Sequence, residues 1–386
     1  MGNGNSIDHS AYPITKPYHD DSYTSISYRR SSDEAESILI EESEKGICHK
    51  LYQSEFSGVW SVHIPERIGP VPRTGHFSVF CPDIQKLIIG YGMKENGDNL
   101  NDFWALDIQK KEWENIQTKG KLSSPRTGAK AVYYKGSIII FGGYNAHAYF
   151  SDLHILDLCK KTINMVATQG CSPSPRSSPI MEVVCDKLIV WGGFNGNWLN
   201  DLCILDLNSF VWTIQTTDIT GRVNIPSIVY QNSIYAYGGS KTGGFISINP
   251  EKGNINQIES IGASPSTLIM GAGMVLIGNH AFFFGGKSEN STKLVYCCNM
   301  ERFWWFVFHI VPDGKTVSLE DGSVNTLGLF LLPDFHNFSA IYSNENREIV
   351  AVLGEPHEDP PVINIIKISE AMAHINLRED MLKALI

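Results

Sequence analysis

Short, strongly apolar runs punctuate the chain, and each of them closes on glycine. They are KLIIGYG (Lys86 to Gly92), SIIIFGG (Ser137 to Gly143), KLIVWGG (Lys187 to Gly193), SIYAYGG (Ser233 to Gly239) and AFFFGG (Ala281 to Gly286). A weaker sixth, EIVAVLG, spans Glu348 to Gly354. Runs of this length, rich in β-branched and aromatic residues and bounded by turn formers, predict buried strands. The closing glycines of the first five recur at steps of 51, 50, 46 and 47 residues. The sixth follows only after 68, which places an insertion before it.

Flanking signals repeat with the runs. A proline–arginine turn precedes three of them, as PRTGH at Pro72, PRTGA at Pro125 and PRSSP at Pro175, and Gly221-Arg222 holds that place in the fourth. After the glycines come NLNDFWALD (Asn99 to Asp107), YFSDLHILD (Tyr149 to Asp157) and WLNDLCILD (Trp198 to Asp206). A tryptophan closes the unit at Trp113 and Trp212, and the pattern extends it to Trp304 and Trp60. One unit therefore reads as turn, strand, hairpin, strand ending in glycine, loop, strand, turn, strand. Four strands in about 50 residues form one blade of a propeller, because a lone four-stranded sheet cannot bury both of its faces. Asp102, Asp152 and Asp201 recur in these units, so they are expected to be structural, capping local backbone amides before the third strand.

These motifs resemble the kelch repeat, over roughly residues 50–368. The resemblance implies an all-β fold, a six-bladed propeller. The unmatched piece FSGVWSVHI (Phe56 to Ile64) reads as a last strand, expected to complete the sixth blade and so remove exposed sheet edges. Three regions follow: an acidic tail at 1–47 read as disordered, with a helical turn near Ser37 to Ser43; the propeller at 48–368; and a short C-terminal helix at 369–386 with Ser369 as its N-cap.

Within a blade, the loop before the first strand and the loop between the second and third open on one face. Arg73, Arg126, Arg176 and Arg222 are thereby expected at equivalent places on one rim. In the kelch family arginines so placed can receive acidic peptide segments; the competing reading is that each braces its loop against an aspartate of the neighbouring blade. Tyr149 and Trp198 occupy equivalent positions on the adjoining loops and are expected to anchor a partner, since aromatic and arginine side chains dominate binding hot spots.

Charge and composition narrow the classes. Lys and Arg number 31 against 41 Asp and Glu, a net charge of −10, which disfavours nucleic acid. Residues 1–47 hold nine acidic and four basic side chains. No apolar run approaches the roughly 18 residues of a membrane span, and MGNGNSIDHS has no apolar core of a secretory signal, so a cytoplasmic protein is expected. The same residues fit N-myristoylation at Gly2, which would give reversible membrane association, and Ser31 and Ser32 after Arg29-Arg30 resemble a kinase site. The eight cysteines form no CxxC pair and read as buried free thiols. No phosphate loop, nucleophile elbow or HExxH motif occurs. The reading is a non-enzymatic protein-interaction scaffold or adaptor, a monomer without cofactor. The alternatives are an enzyme using the central channel and an adaptor acting through its tail.

Overall fold

Residues 58–120, 122–289, 293–325 and 329–368 are described by the computed structural model. Six sheets follow one another, each built on four antiparallel strands that lie side by side in chain order in the first five. Blade 1 contains Phe77–Cys81, Lys86–Gly90, Phe103–Asp107 and Glu112–Asn115. Blade 2 contains Lys130–Tyr134, Ser137–Phe141, Leu153–Asp157 and Thr162–Val166, and blade 3 Ile180–Val184, Lys187–Trp191, Asp201–Asp206 and Val211–Thr216. Blade 4 is built from Ser227–Tyr230, Ser233–Tyr237, Phe245–Asn249 and Asn254–Ile258. Blade 5 is built from Gly273–Ile277, His280–Phe284, Val295–Asn299 and Trp304–Phe308. In blade 6, Ser339–Ser343, Glu348–Val352 and Ile363–Lys367 are completed by Gly58–His63 from the other end of the chain, antiparallel to Ile363–Lys367. The first strands of successive blades touch in a closed circuit, so the ring closes as the sequence predicts.

Burial explains the runs. The second strand of each blade is covered on both faces, so Leu87, Ile88 and Ile89 are all buried instead of alternating with polar residues. Six apolar clusters result, one at each junction between neighbouring blades. Trp60, Trp113, Trp212 and Trp305 hold one register position and face the preceding blade. The expected Trp304 is thus displaced by its neighbour: Trp305 is the fully buried one, pairing with Cys298 as Trp212 pairs with Leu205.

Two backbone rings tie the upper face, where the loops before the first strands open. The amide of Gly92 donates to the Arg126 carbonyl, Gly143 to Arg176, Gly193 to Arg222, Gly239 to Ile269, Gly286 to Phe335 and Gly354 to Arg73, at 2.8–3.3 Å. This circuit passes through every junction and returns to its origin. Inside it, the amides of Gly128, Ser178, Asn224, Gly271 and Asn337 each donate to the equivalent carbonyl of the preceding blade at 2.7–3.0 Å. Gly75, Gly128, Ser178, Asn224, Gly271 and Asn337 all have φ between 48° and 67°, a region that glycine and asparagine enter at least cost. The glycine of PRTG is therefore a conformational requirement of the inner ring.

A segment leaving one blade also latches to the next. Gln169–Gly170, Ile261–Gly262 and Ile310–Pro312 each add in parallel to the outer strand of the following blade. The insertion before blade 6 carries the small hairpin of Ser323–Val324 and Phe330–Leu331.

Backbone alone is described for a three-stranded sheet of Ile26–Tyr28, Ser37–Glu41 and Cys48–Tyr52. The helical turn expected near Ser37 is strand instead, and strand backbone enters the segment read as disordered. The C-terminal helix, Gly2, Ser31 and Ser32 lie outside the described residues. Cys81, Cys203, Cys297 and Cys298 are buried thiols as expected, whereas Cys159, Cys171 and Cys185 are exposed, Cys185 because it occupies a positive-φ hairpin turn. Among the described residues no helix is long and apolar enough to cross a membrane.

Candidate functional site: the upper rim and its supports

The four arginines hold equivalent places, but none of them faces outward. Arg73 and Arg176 are 0% exposed, Arg222 1% and Arg126 2%. Each directs one terminal nitrogen to the carbonyl of the residue just after its own blade's second strand: Tyr91, Gly142, Gly192 and Gly238, at 2.8–3.1 Å. In blades 1–3 the same guanidinium forms a two-pronged pair with the repeated aspartate. Arg73 meets Asp102 at 2.6 and 2.9 Å, and Arg176 meets Asp201 at 2.8 and 2.6 Å. Arg126 holds Asp152 in the same way. Burial works to raise the Asp102 and Asp201 carboxyls, yet the guanidinium bonds and charge outweigh it and hold both below the ordinary carboxylate range. The Nε groups of Arg73, Arg126 and Arg176 reach back to the carbonyl two residues earlier, at 3.0–3.1 Å.

Two expectations are corrected by this geometry. The arginines are braces, spent on their own loops, and do not line an open surface. The brace acts within one blade, not between neighbours; the expected bonding to local amides is kept at Asp102 and Asp201, each of which also accepts from its own backbone amide. Fork-to-carboxylate geometry is what makes arginine, and not lysine, suited to this position.

Blades 4–6 depart from the rule. The register places Gly244 where Asp201 stands, so Arg222 has only the carbonyls of Gly238, Gly243 and Gly244, and burial lowers its pKa to about 10. In blade 5 Ile269 and Leu294 replace both partners, and in blade 6 Phe335 and Val362 do so.

Above the braces an aromatic row crosses three blades. Tyr144 stacks on Tyr149 with ring centroids 5.5 Å apart, Tyr149 meets Phe194 edge-on at 6.3 Å, and Phe194 meets Trp198 at 4.9 Å. Lys241 of blade 4 ends the row, its Nζ 3.6 Å above the Trp198 ring, and Trp198 donates to the Ser240 hydroxyl at 3.2 Å. All four rings are half-buried. The loops that carry them, Tyr144 to Tyr149, Phe194 to Trp198 and Ser240 to Gly244, contain no acidic residue. The two residues singled out in the sequence, Tyr149 and Trp198, are brought together here; Tyr144, Phe194 and Lys241 were missed, although Tyr144 and Phe194 each follow a glycine doublet directly.

The central channel opens on the same face through a cavity of about 110 Å³ lined by His76, Lys130, Asn224, Asn337 and Ser339, among others. A 2.6 Å hydrogen bond joins His76 Nε2 to the Ser339 hydroxyl across the junction of blades 1 and 6, which makes His76 the packed histidine expected. Burial, then the charges of Arg73 and Lys130, drive its pKa to about 3. Deeper in, Ser227 donates to Glu182 at 2.7 Å, and burial pushes Glu182 up to about 7 against the opposing pull of Ser227 and Lys130. Among the described residues no group of three or more His, Cys, Asp or Glu is placed to hold a metal ion.

A closed ring of six four-stranded blades with glycine doublets and arginine turns defines a kelch-repeat β-propeller. The sequence profile of the KLHDC2/KLHL20/DRC7 kelch-repeats domain matches residues 41–239 and 180–318, and the chain belongs to that family. It is similar to dynein regulatory complex subunit 7 of Chlamydomonas reinhardtii, 31% identical over 75 residues, which is 19% of this chain and 6% of that protein. It is also similar to human host cell factor 2, 31% identical over 105 residues, 26% of this chain and 13% of that protein. With tip elongation aberrant protein 1 of Schizosaccharomyces pombe the identity is 27% over 78 residues, 20% of this chain and 7% of that protein. The match thus spans only a small part of each of these relatives.

Proposed function

We propose that the chain is a protein-interaction scaffold whose partner docks on the upper rim of blades 2–4. The row from Tyr144 to Lys241 carries this reading. Half-buried aromatic rings, already ordered by one another and by braced loops, offer a large contact area at little entropic cost. One relative is by name a subunit of a complex, which agrees with a scaffold. A partner segment with an acidic flank suits the site, because Lys241 and His147 are the basic residues on these three loops and no acidic residue opposes them. That preference rests on Lys241, since aspartates already neutralise Arg126 and Arg176 beneath and Arg222 is buried against backbone carbonyls.

Affinity purification of the full chain alongside a Tyr149→Ser, Trp198→Ser variant tests the proposal. Loss of the principal partner by at least about tenfold is expected, with an unchanged melting curve. Undiminished capture by the folded variant contradicts it. Charge reversal at Arg126 or Arg176 would not serve, because it places like charges together in a buried site and threatens the fold itself. Myristoylation of Gly2, phosphorylation of Ser31 or Ser32, and a cytoplasmic, reversibly membrane-bound location remain part of the proposal. Intact mass and fractionation of the native protein check them.

A further inference from the structure

Blade 6 has an apolar pair where blades 1–3 have the arginine brace, and a cavity opens beside that pair. It has a volume of about 290 Å³, with Trp60, Phe335 and Phe338 among its walls and Thr316 and Val317 of the preceding insertion closing one side. Leu353 also lines it; its counterparts Tyr91, Gly142 and Gly192 are the residues whose carbonyls receive the brace arginines of blades 1–3. Every charged residue of the lining is acidic: Asp321, Asp334, Glu355 and Glu358 contribute, and no lysine, arginine or histidine does. Neighbouring side chains offset this only in part. Lys293 pairs with Asp334 at 3.2 Å, and His336 lies 3.7 Å from Glu355. Partial burial alone pushes the Glu358 carboxyl above its ordinary value.

We propose that this cavity receives an arginine side chain from a protein partner. A volume just under the usual range for small-molecule sites suits one long side chain. Aromatic walls take the face of a guanidinium and carboxylates take its edge, a combination that rejects acidic groups and leaves a neutral side chain without compensation for the carboxylates. Charge complementarity selects the occupant, and the site is separate from the row on blades 2–4. A partner arginine would stand beside the place that the blade's own arginine occupies in blades 1–3.

The test uses the full chain labelled with ¹⁵N-tryptophan and capped Gly-Arg-Gly, Gly-Lys-Gly, Gly-norleucine-Gly and Gly-Glu-Gly as probes. The Trp60 indole N–H, which donates to Asn364 at 3.1 Å, reports the cavity, and buried Trp212 serves as a control for the fold. The arginine peptide is expected to shift Trp60 saturably in the millimolar range, the lysine peptide more weakly, and the other two not at all. Glu358→Gln should weaken the arginine peptide about 5-fold and leave Trp212 unmoved. Equal response to norleucine, no response to arginine, or indifference to Glu358→Gln in a folded variant overturns the proposal. So does spermidine binding more tightly than every peptide. None of these outcomes bears on the rim of blades 2–4.

Discussion

Arginine and aspartate lie 25–29 residues apart in each brace, and the distance between them in sequence hides their partnership. Both repeats are visible in the chain, but only the register of the third strand brings them into contact. Their joint presence in blades 1–3 and joint replacement by apolar pairs in blades 5 and 6 is the signal that connects them. It follows from the cost of a buried charge without its counter-ion, which makes losing both cheaper than losing one. Blade 4 breaks the rule by keeping Arg222 opposite Gly244. Arg176→Met should therefore cost about 2–4 kcal/mol, because it strands the carboxylate of Asp201. Arg222→Met, which removes a buried cation with no acidic partner, should change stability by less than about 1 kcal/mol in either direction. Urea midpoints of the two variants decide the matter, and equal losses would contradict the assignment of these roles.

At the level of strands and blades, the glycine doublets, the closing strand and the tryptophan of the outer strand were all readable. Each of them reflects a demand that every blade makes: two buried faces, a left-handed exit and a wedge between neighbouring sheets. The register of blade 5 was not readable to the residue, because Trp304 and Trp305 adjoin and either fits the spacing. Burial separates them. Trp305→Ala should cost about 3–5 kcal/mol through the cavity it leaves between blades 4 and 5, whereas Trp304→Ala should cost clearly less. Chemical denaturation of both variants measures this, and the opposite order would move the register by one residue. The insertion before blade 6 was visible only as a longer step, since its latch and hairpin follow no repeat.

The whole ring creates what no single blade contains, a polar channel in which His76, Lys130, Glu182 and Ser227 from four different blades approach one another. The repeat pattern gave no hint of it, because these residues sit at non-equivalent positions. Glu182 holds its proton more tightly in the folded ring, near 7, than in an unfolded chain, near 4.5. Its ionisation therefore subtracts stability as pH rises through about 7 and subtracts nothing below about 4.5. Glu182→Gln should match the parent protein near the lower limit and exceed it in stability above the upper one. Thermal melts across that range test this, and a difference independent of pH would refute it.

Docking on an aromatic rim held by buried braces is most directly tested by hydrogen exchange on the chain with its captured partner bound. Slowed exchange confined to residues 144–149, 194–198 and 240–242 is the predicted result. Protection instead at the opposite turns, residues 108–111, 158–161 and 207–210, with the upper loops unchanged, would contradict it.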